Sequence, residues 1–185
     1  MRWFWIDRFT EYVSRSHATA LKGITLCDNF MHDHWDAYPV MPNTLIAEGM
    51  AQTGGLLVSE LYEFKELVVL AKFSNLSFHG EARGGDQLVY RAKIDHVRDV
   101  GAMVSVTGHI GDRLQASAEI FFARMQAGGE DQTGDAVIPP RLFDPEDLSH
   151  WLHMAGVFDV GVHQDGTRMK AADYGLPLEL KEGSW

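Results

Sequence analysis

Short apolar segments alternate with polar turns over the first 125 residues, a layout of strands interrupted by one longer element. Residues 8–14 and 18–26 read as strands from their β-branched and aromatic content, with Arg15-Ser16-His17 as the turn between them. From Thr44 to about Leu61 the pattern becomes helical. Leu45, Gly49 or Ala51, Leu56 and Leu57 share faces, and Pro42 followed by Asn43 or Thr44 supplies a start signal. This helix carries Gly49, Gly54 and Gly55, each a cost of up to ~1 kcal/mol against alanine. A helix that must lie very close to a sheet tolerates such residues, so a buried helix is expected.

Strands are predicted again over 68–78 and 87–97, and over 102–110 and 113–124 as a hairpin closed by Gly111-Asp112. Arg83-Gly84-Gly85-Asp86 is a further turn. Two strands, one long helix and then long hairpin-connected strands indicate the α+β class, an antiparallel sheet with one helix against a face. After Met125 comes the polar, Gly-rich run Ala127-Gly128-Gly129-Glu130-Asp131-Gln132-Thr133-Gly134-Asp135. It divides the chain into a main domain, residues 1–126, and an extension, residues 127–185. One helix is expected in the extension. Asp144 would cap it, Pro145 suits its first position, and Leu148, Trp151, Leu152 and Met154 follow before a stop near Gly156.

Composition narrows the possibilities. With 185 residues and 45% hydrophobic content, the chain can bury a sizeable core. Cys27 is the only cysteine, which excludes an intrachain disulfide and a cysteine-rich structural zinc site. The uninterrupted apolar run before Asp7 is Trp3, Phe4, Trp5 and Ile6, too short for a signal peptide, and no later stretch approaches a membrane span. The expectation is a cytosolic protein with no membrane partner. Net charge is −10, with 12 basic against 15 acidic residues up to 126 and 4 against 11 beyond it. Nucleic acid is not an expected partner, because phosphate contacts need clustered Lys and Arg. The acidic tail reads as a solvated surface.

The chemistry concentrates between His34 and Glu48. An imidazole in a Pro-bounded loop, followed by a carboxylate inside an apolar helix, can remove a proton and expel a hydroxyl. Glu48 suits the acid role if Leu45, Ile46 and Met50 surround it and favour its protonated form. Free N–H groups at the helix start around Asn43 and Thr44 can stabilise an oxyanion. Gln52, one turn beyond Glu48, could orient that carboxylate or be a plain surface amide. His32-Asp33-His34 resembles a metal pair but lacks a third ligand at suitable spacing, so no metal is expected. Met31, Met41 and Met50 could line an apolar channel or fill the core. Trp3 and Trp5 read as packing or interface anchors.

The segment from His34 resembles the active-site signature of the hot-dog-fold 3-hydroxyacyl-[acyl-carrier-protein] dehydratases, H-F-P-G-x-P-x-M-P-G-x-L-x-x-E-x-x-A-Q. His34, Pro39, Met41, Pro42, Leu45, Glu48 and Ala51-Gln52 fall on its fixed positions. Downstream, Phe78 precedes Gly85-Asp86-Gln87-Leu88 at the family's F…P-G-D-x-L spacing. The likeness covers roughly residues 1–125. It departs at Trp35-Asp36-Ala37, where the signature has Phe-Pro-Gly, at Asn43 for the helix-start glycine, and at Gly84 for proline.

The resemblance implies a curved antiparallel sheet wrapped around a long central helix, and protomers that pair edge to edge into homodimers or larger homo-oligomers. It implies a site at the dimer interface that needs no cofactor. His34 would take the α-proton, Glu48 of the partner chain would assist hydroxyl loss, and the Asn43 N–H would polarise the thioester carbonyl. Trp35, Met41 and Gln52 complete the expected substrate-contacting set. The substrate would be a 3-hydroxyacyl thioester on acyl carrier protein or coenzyme A, in fatty acid or related acyl-chain synthesis. Arg83, Arg91, Lys93 and Arg98 could form a basic patch for an acidic carrier, or an ordinary solvated strand face. Two other functions are compatible with the same fold. A thioesterase would use the helix carboxylate with water, and an acyl-binding or assembly subunit would catalyse nothing. His34 favours dehydration, because hydrolysis needs no base for an α-proton.

Overall fold

The computed structural model describes residues 3–33, 37–125 and 145–176. In chain order the first elements are β1 (Arg8–Val13), β2 (His17–Gly23), α1 (Phe30–Asp33) and α2 (Asn43–Leu61). They are followed by β3 (Leu67–Phe78), β4 (Gln87–Arg98), β5 (Gly101–Ile110) and β6 (Arg113–Met125). The tail contributes α3 (Pro145–Met154), α4 (Val157–Val160), β7 (Gly161–Val162) and a 3₁₀ turn at Ala171–Tyr174. The strands form one sheet in the order β3-β6-β5-β4-β2-β1-β7. Neighbours are antiparallel as expected, except that β7 runs parallel to β1, pairing Gly161 with Tyr12 and Val162 with Val13. The chain reaches that edge through α3 and α4, and such a crossover returns it in the parallel sense.

The period-2 pattern decides which sheet face is covered. Leu88, Tyr90 and Ala92 on β4, Ala102, Val104 and Val106 on β5, and Ala116, Ala118, Ile120 and Phe122 on β6 are buried at alternate positions. They meet Ile46, Met50, Leu56 and Leu57 of α2. Burying four such side chains contributes roughly 6–12 kcal/mol, against about 3 kcal/mol lost to the three helix glycines. Packing therefore wins over propensity.

The glycines mark where α2 approaches the sheet. A Cβ on Gly49 would stand 2.5 Å from the Tyr90 ring and hydroxyl, and one on Gly54 would stand 3.0 Å from Phe122. Gly49→Ala is accordingly expected to destabilise the fold. Displacing the fully buried Tyr90 costs about 1–3 kcal/mol, more than the up to ~1 kcal/mol of helix propensity regained. Thermal unfolding checks this: a Tm equal to or above that of the parent would refute the close-packing account.

The described tail is joined to the sheet and core. Leu152, Ala155, Val157, Met169 and Tyr174 belong to the same hydrophobic cluster as α2 and the sheet. The Phe9 N–H donates to the Ala155 carbonyl at 2.7 Å, and Trp151 stacks on Phe4 with ring centroids 5.2 Å apart. The apolar face expected of the tail helix thus packs against its own chain. Beyond that helix, the described tail holds three further short elements. None is longer than four residues, too short for a periodic signal.

Candidate active site

The start of α2 positions the chemistry. Pro42, with no N–H of its own and φ −56°, stands just before the helix. Its carbonyl accepts from the Leu45 and Ile46 N–H groups at 2.9 and 3.2 Å. Asn43 and Thr44, both exposed, precede these, and their N–H groups have no acceptor within the helix. The segment before the helix is anchored to the turn at 81–83. Met41 N–H donates to the Ala82 carbonyl at 2.8 Å, and Val40 bridges to Arg83. The Tyr38 hydroxyl donates to Glu81 at 2.5 Å, and the Arg83 guanidinium lies 5.0 Å over the Tyr38 ring and pairs with Glu81 at 2.9 Å. The Arg83 hydrogen bond, with help from Tyr38, holds the Glu81 carboxyl below its usual range. Arg83 is thus already engaged by a carboxylate.

Glu48 is half-buried one turn into α2. Its Oε1 accepts from Gln52 Nε2 at 2.9 Å, the i,i+4 pairing that helix geometry allows. Gln52 is buried and does more. Its Nε2 also donates to the Trp3 carbonyl at 2.8 Å, and its Oε1 accepts from the Trp5 N–H at 2.8 Å. One amide therefore orients the carboxylate and ties the N-terminal segment to the helix beside it. The apolar surround expected for Glu48 is arranged differently. Ile46 and Met50 are wholly buried against the sheet and, at 100° per residue, point to the face opposite Glu48.

Two cavities flank this arrangement. One, of about 640 Å³, lies between the N-terminal segment, α1 and the start of α2, with Trp3, Trp5, Lys22, Asp33, Pro42 and Leu45 among its lining. The other, of about 190 Å³, starts at Glu48 and Gln52 and follows α2 towards Ser59. Met41 lines neither. Its side chain is buried in the core. Met31 and Met50 are core residues as well. His34, Trp35 and Asp36 lie outside the described residues, and Asp33 and Ala37 flank them. The role of the N-terminal tryptophans beside the carboxylate has no local signal in the sequence, since it rests on main-chain bonds to a side chain 47 and 49 residues away.

A sheet of antiparallel neighbours, extended at one edge by the short parallel β7 and wrapped around one long helix, is the hot-dog fold. Solved structures share this fold. An acetyl-CoA-bound protein of Streptococcus mutans superposes with a TM-score of 0.54 at 14% identity, covering 64% of this chain and 88% of that one. A protein of Pyrococcus horikoshii gives 0.55 at 15% identity, covering 68% and 87%. In sequence, the family model described as a FabA-like domain matches residues 4–118. The 3-hydroxyacyl-[acyl-carrier-protein] dehydratase FabZ of Streptococcus thermophilus is 38% identical over 119 residues, 64% of this chain and 84% of that protein. That of Streptococcus gordonii is 37% identical with the same coverage. The chain belongs to the FabA-like family. No described helix is long and apolar enough to cross a membrane.

Proposed function

We propose that this chain dehydrates a 3-hydroxyacyl thioester to the trans-2-enoyl thioester in fatty acid or related acyl-chain biosynthesis, with acyl carrier protein as the carrier. Membership of the FabA-like family carries this reading, and the oriented Glu48–Gln52 pair supports it from the side of the chemistry. In the proposed reaction His34 takes the proton from C2, and the C2 electron pair forms the double bond to C3. The C3–O bond breaks, and the hydroxyl leaves as water with a proton from Glu48. The Asn43 N–H is the donor proposed for the thioester oxygen, whose negative charge grows as C2 loses its proton. Gln52 acts as a positioning residue, and Trp35 is the proposed aromatic wall.

The proposed assembly is a homodimer in which His34 of one protomer faces Glu48 of the other. Among the described residues β3 is an outermost strand paired on one side, by β6, and it exposes Leu70 and Leu76. Such an edge can accept a second copy of itself. β7 covers the other end of the sheet.

Incubation with a 3-hydroxyacyl thioester tests the reaction. Growth of enoyl absorbance without free thiol is the expected result. Release of thiol would indicate a thioesterase, and no change in either would indicate a binding subunit.

A further inference from the structure

The apolar groove that starts at Glu48 has an outer wall from outside the family match. Its inner side is built from α2 at Gly55 and Leu56 and from β6 at Phe122, residues of the main domain. Its outer side includes Leu148 and Trp151 of α3, well beyond residue 118 where the FabA-like match ends. From Glu48 to Ser59 the groove follows α2 for about 16 Å, at 1.5 Å per residue. The wall is held by other groups. Leu152, on the neighbouring face of α3, is wholly buried in the core, and Ala155 accepts the Phe9 N–H at 2.7 Å. Trp151 also stacks on Phe4, which lies between the two residues that Gln52 ties to the helix. The tail is thus joined through one ring pair to the segment that flanks the carboxylate.

We infer that α3 sets the length of acyl chain this protein accepts, with Trp151 and Leu148 as specificity-determining residues at the groove wall. The inference rests on the dehydratase reading, which puts C3 of the substrate at Glu48. The occupant is then the rest of the acyl chain. A saturated carbon chain offers no hydrogen bonds and gains only from burial, and this mostly apolar groove continues from the point where such a chain leaves the reacting carbons. Burial of one methylene changes affinity roughly fourfold, so a wall that admits or excludes two or three methylenes changes selectivity by an order of magnitude.

The experiment compares the parent with Trp151→Ala and Leu148→Ala. It measures kcat/KM for four-, eight- and twelve-carbon 3-hydroxyacyl thioesters, and the Kd of a saturated twelve-carbon acyl thioester that has no hydroxyl to lose. Circular dichroism and Tm confirm that α3 remains in place. The expected result is a rise of about tenfold or more in the twelve- to four-carbon ratio for Trp151→Ala. A smaller rise is expected for Leu148→Ala, with tighter binding of the saturated thioester in both. An unchanged or reversed ratio together with an unchanged Kd in folded variants overturns the inference, and so does an equal loss for all chain lengths. Failure of the parent to turn over any thioester would count against the dehydratase reading, while the Kd comparison would still report on the wall.

Discussion

Glu48→Gln is expected to lower kcat for enoyl formation by about 10²–10⁴-fold, the usual worth of a positioned general acid. This corresponds to about 3–5 kcal/mol of transition-state stabilisation. The amide has the size of the carboxyl group and can still accept from the Gln52 amide now held at 2.9 Å from Glu48 Oε1. It has no acidic proton for the departing hydroxyl. KM should therefore move little while kcat falls, the signature of a group that acts mainly in the transition state. Gln52→Leu should behave differently, because it frees the carboxylate to rotate and also strips the Trp5 N–H and the Trp3 carbonyl of their partner. Its effect on turnover should be the smaller one, accompanied by a stability loss of about 1–3 kcal/mol. Stopped absorbance assays and thermal unfolding on the same samples separate the two. Full activity in Glu48→Gln would remove Glu48 from the mechanism.

Much of this arrangement is legible in the sequence because it is local. The helix Asn43–Leu61 and the strands before and after it follow from apolar periodicity and turn residues, and the glycines of α2 announce a close sheet. The Glu48–Gln52 pair is a matter of i,i+4 spacing. What escapes is non-local or too short to have a period. β7 is two residues long and exists because Tyr12 and Val13 offer it an edge. α1 is four residues long, held by Met31 in the core. The buried setting of Met41 and the opposite facing of Ile46 and Met50 depend on which side of α2 meets the sheet, which composition around Glu48 does not reveal. The contribution of α3 to the groove joins residues about 100 apart in the chain.

A second large effect is expected at the far end of α2. Glu60 is buried at the C-terminal end of the helix, where the macrodipole disfavours a negative charge by about 0.3–1 kcal/mol. Three donors offset this. The Ser14 hydroxyl donates to its Oε1 at 2.8 Å, the Tyr174 hydroxyl to the same oxygen at 2.9 Å, and the Arg15 N–H to Oε2 at 2.9 Å. Arg15 sits at φ 59°, so the carboxylate also holds a left-handed residue in the β1–β2 turn. Glu60→Ala strands all three donors and is expected to cost about 3–5 kcal/mol, a large share of the 5–15 kcal/mol that holds a typical domain together. Glu60→Gln keeps one carbonyl acceptor and should cost less.

The tail bears its part of this loss, because Tyr174 is a link between the 3₁₀ turn and α2. Proteolysis within residues 145–176 should accelerate in Tyr174→Phe before the sheet itself unfolds. The pH dependence has a definite sign. Burial first, and then the nearby Glu60 charge, push the Tyr174 and Tyr12 phenols above their ordinary value near 10. The folded chain therefore holds these protons more tightly than the unfolded chain. Their contribution is complete below about pH 10 and declines as the pH rises above it. Tyr174→Phe should start from a lower stability and decline less steeply in alkali. Parallel slopes for parent and variant above pH 10 would show that folding does not raise the Tyr174 phenol.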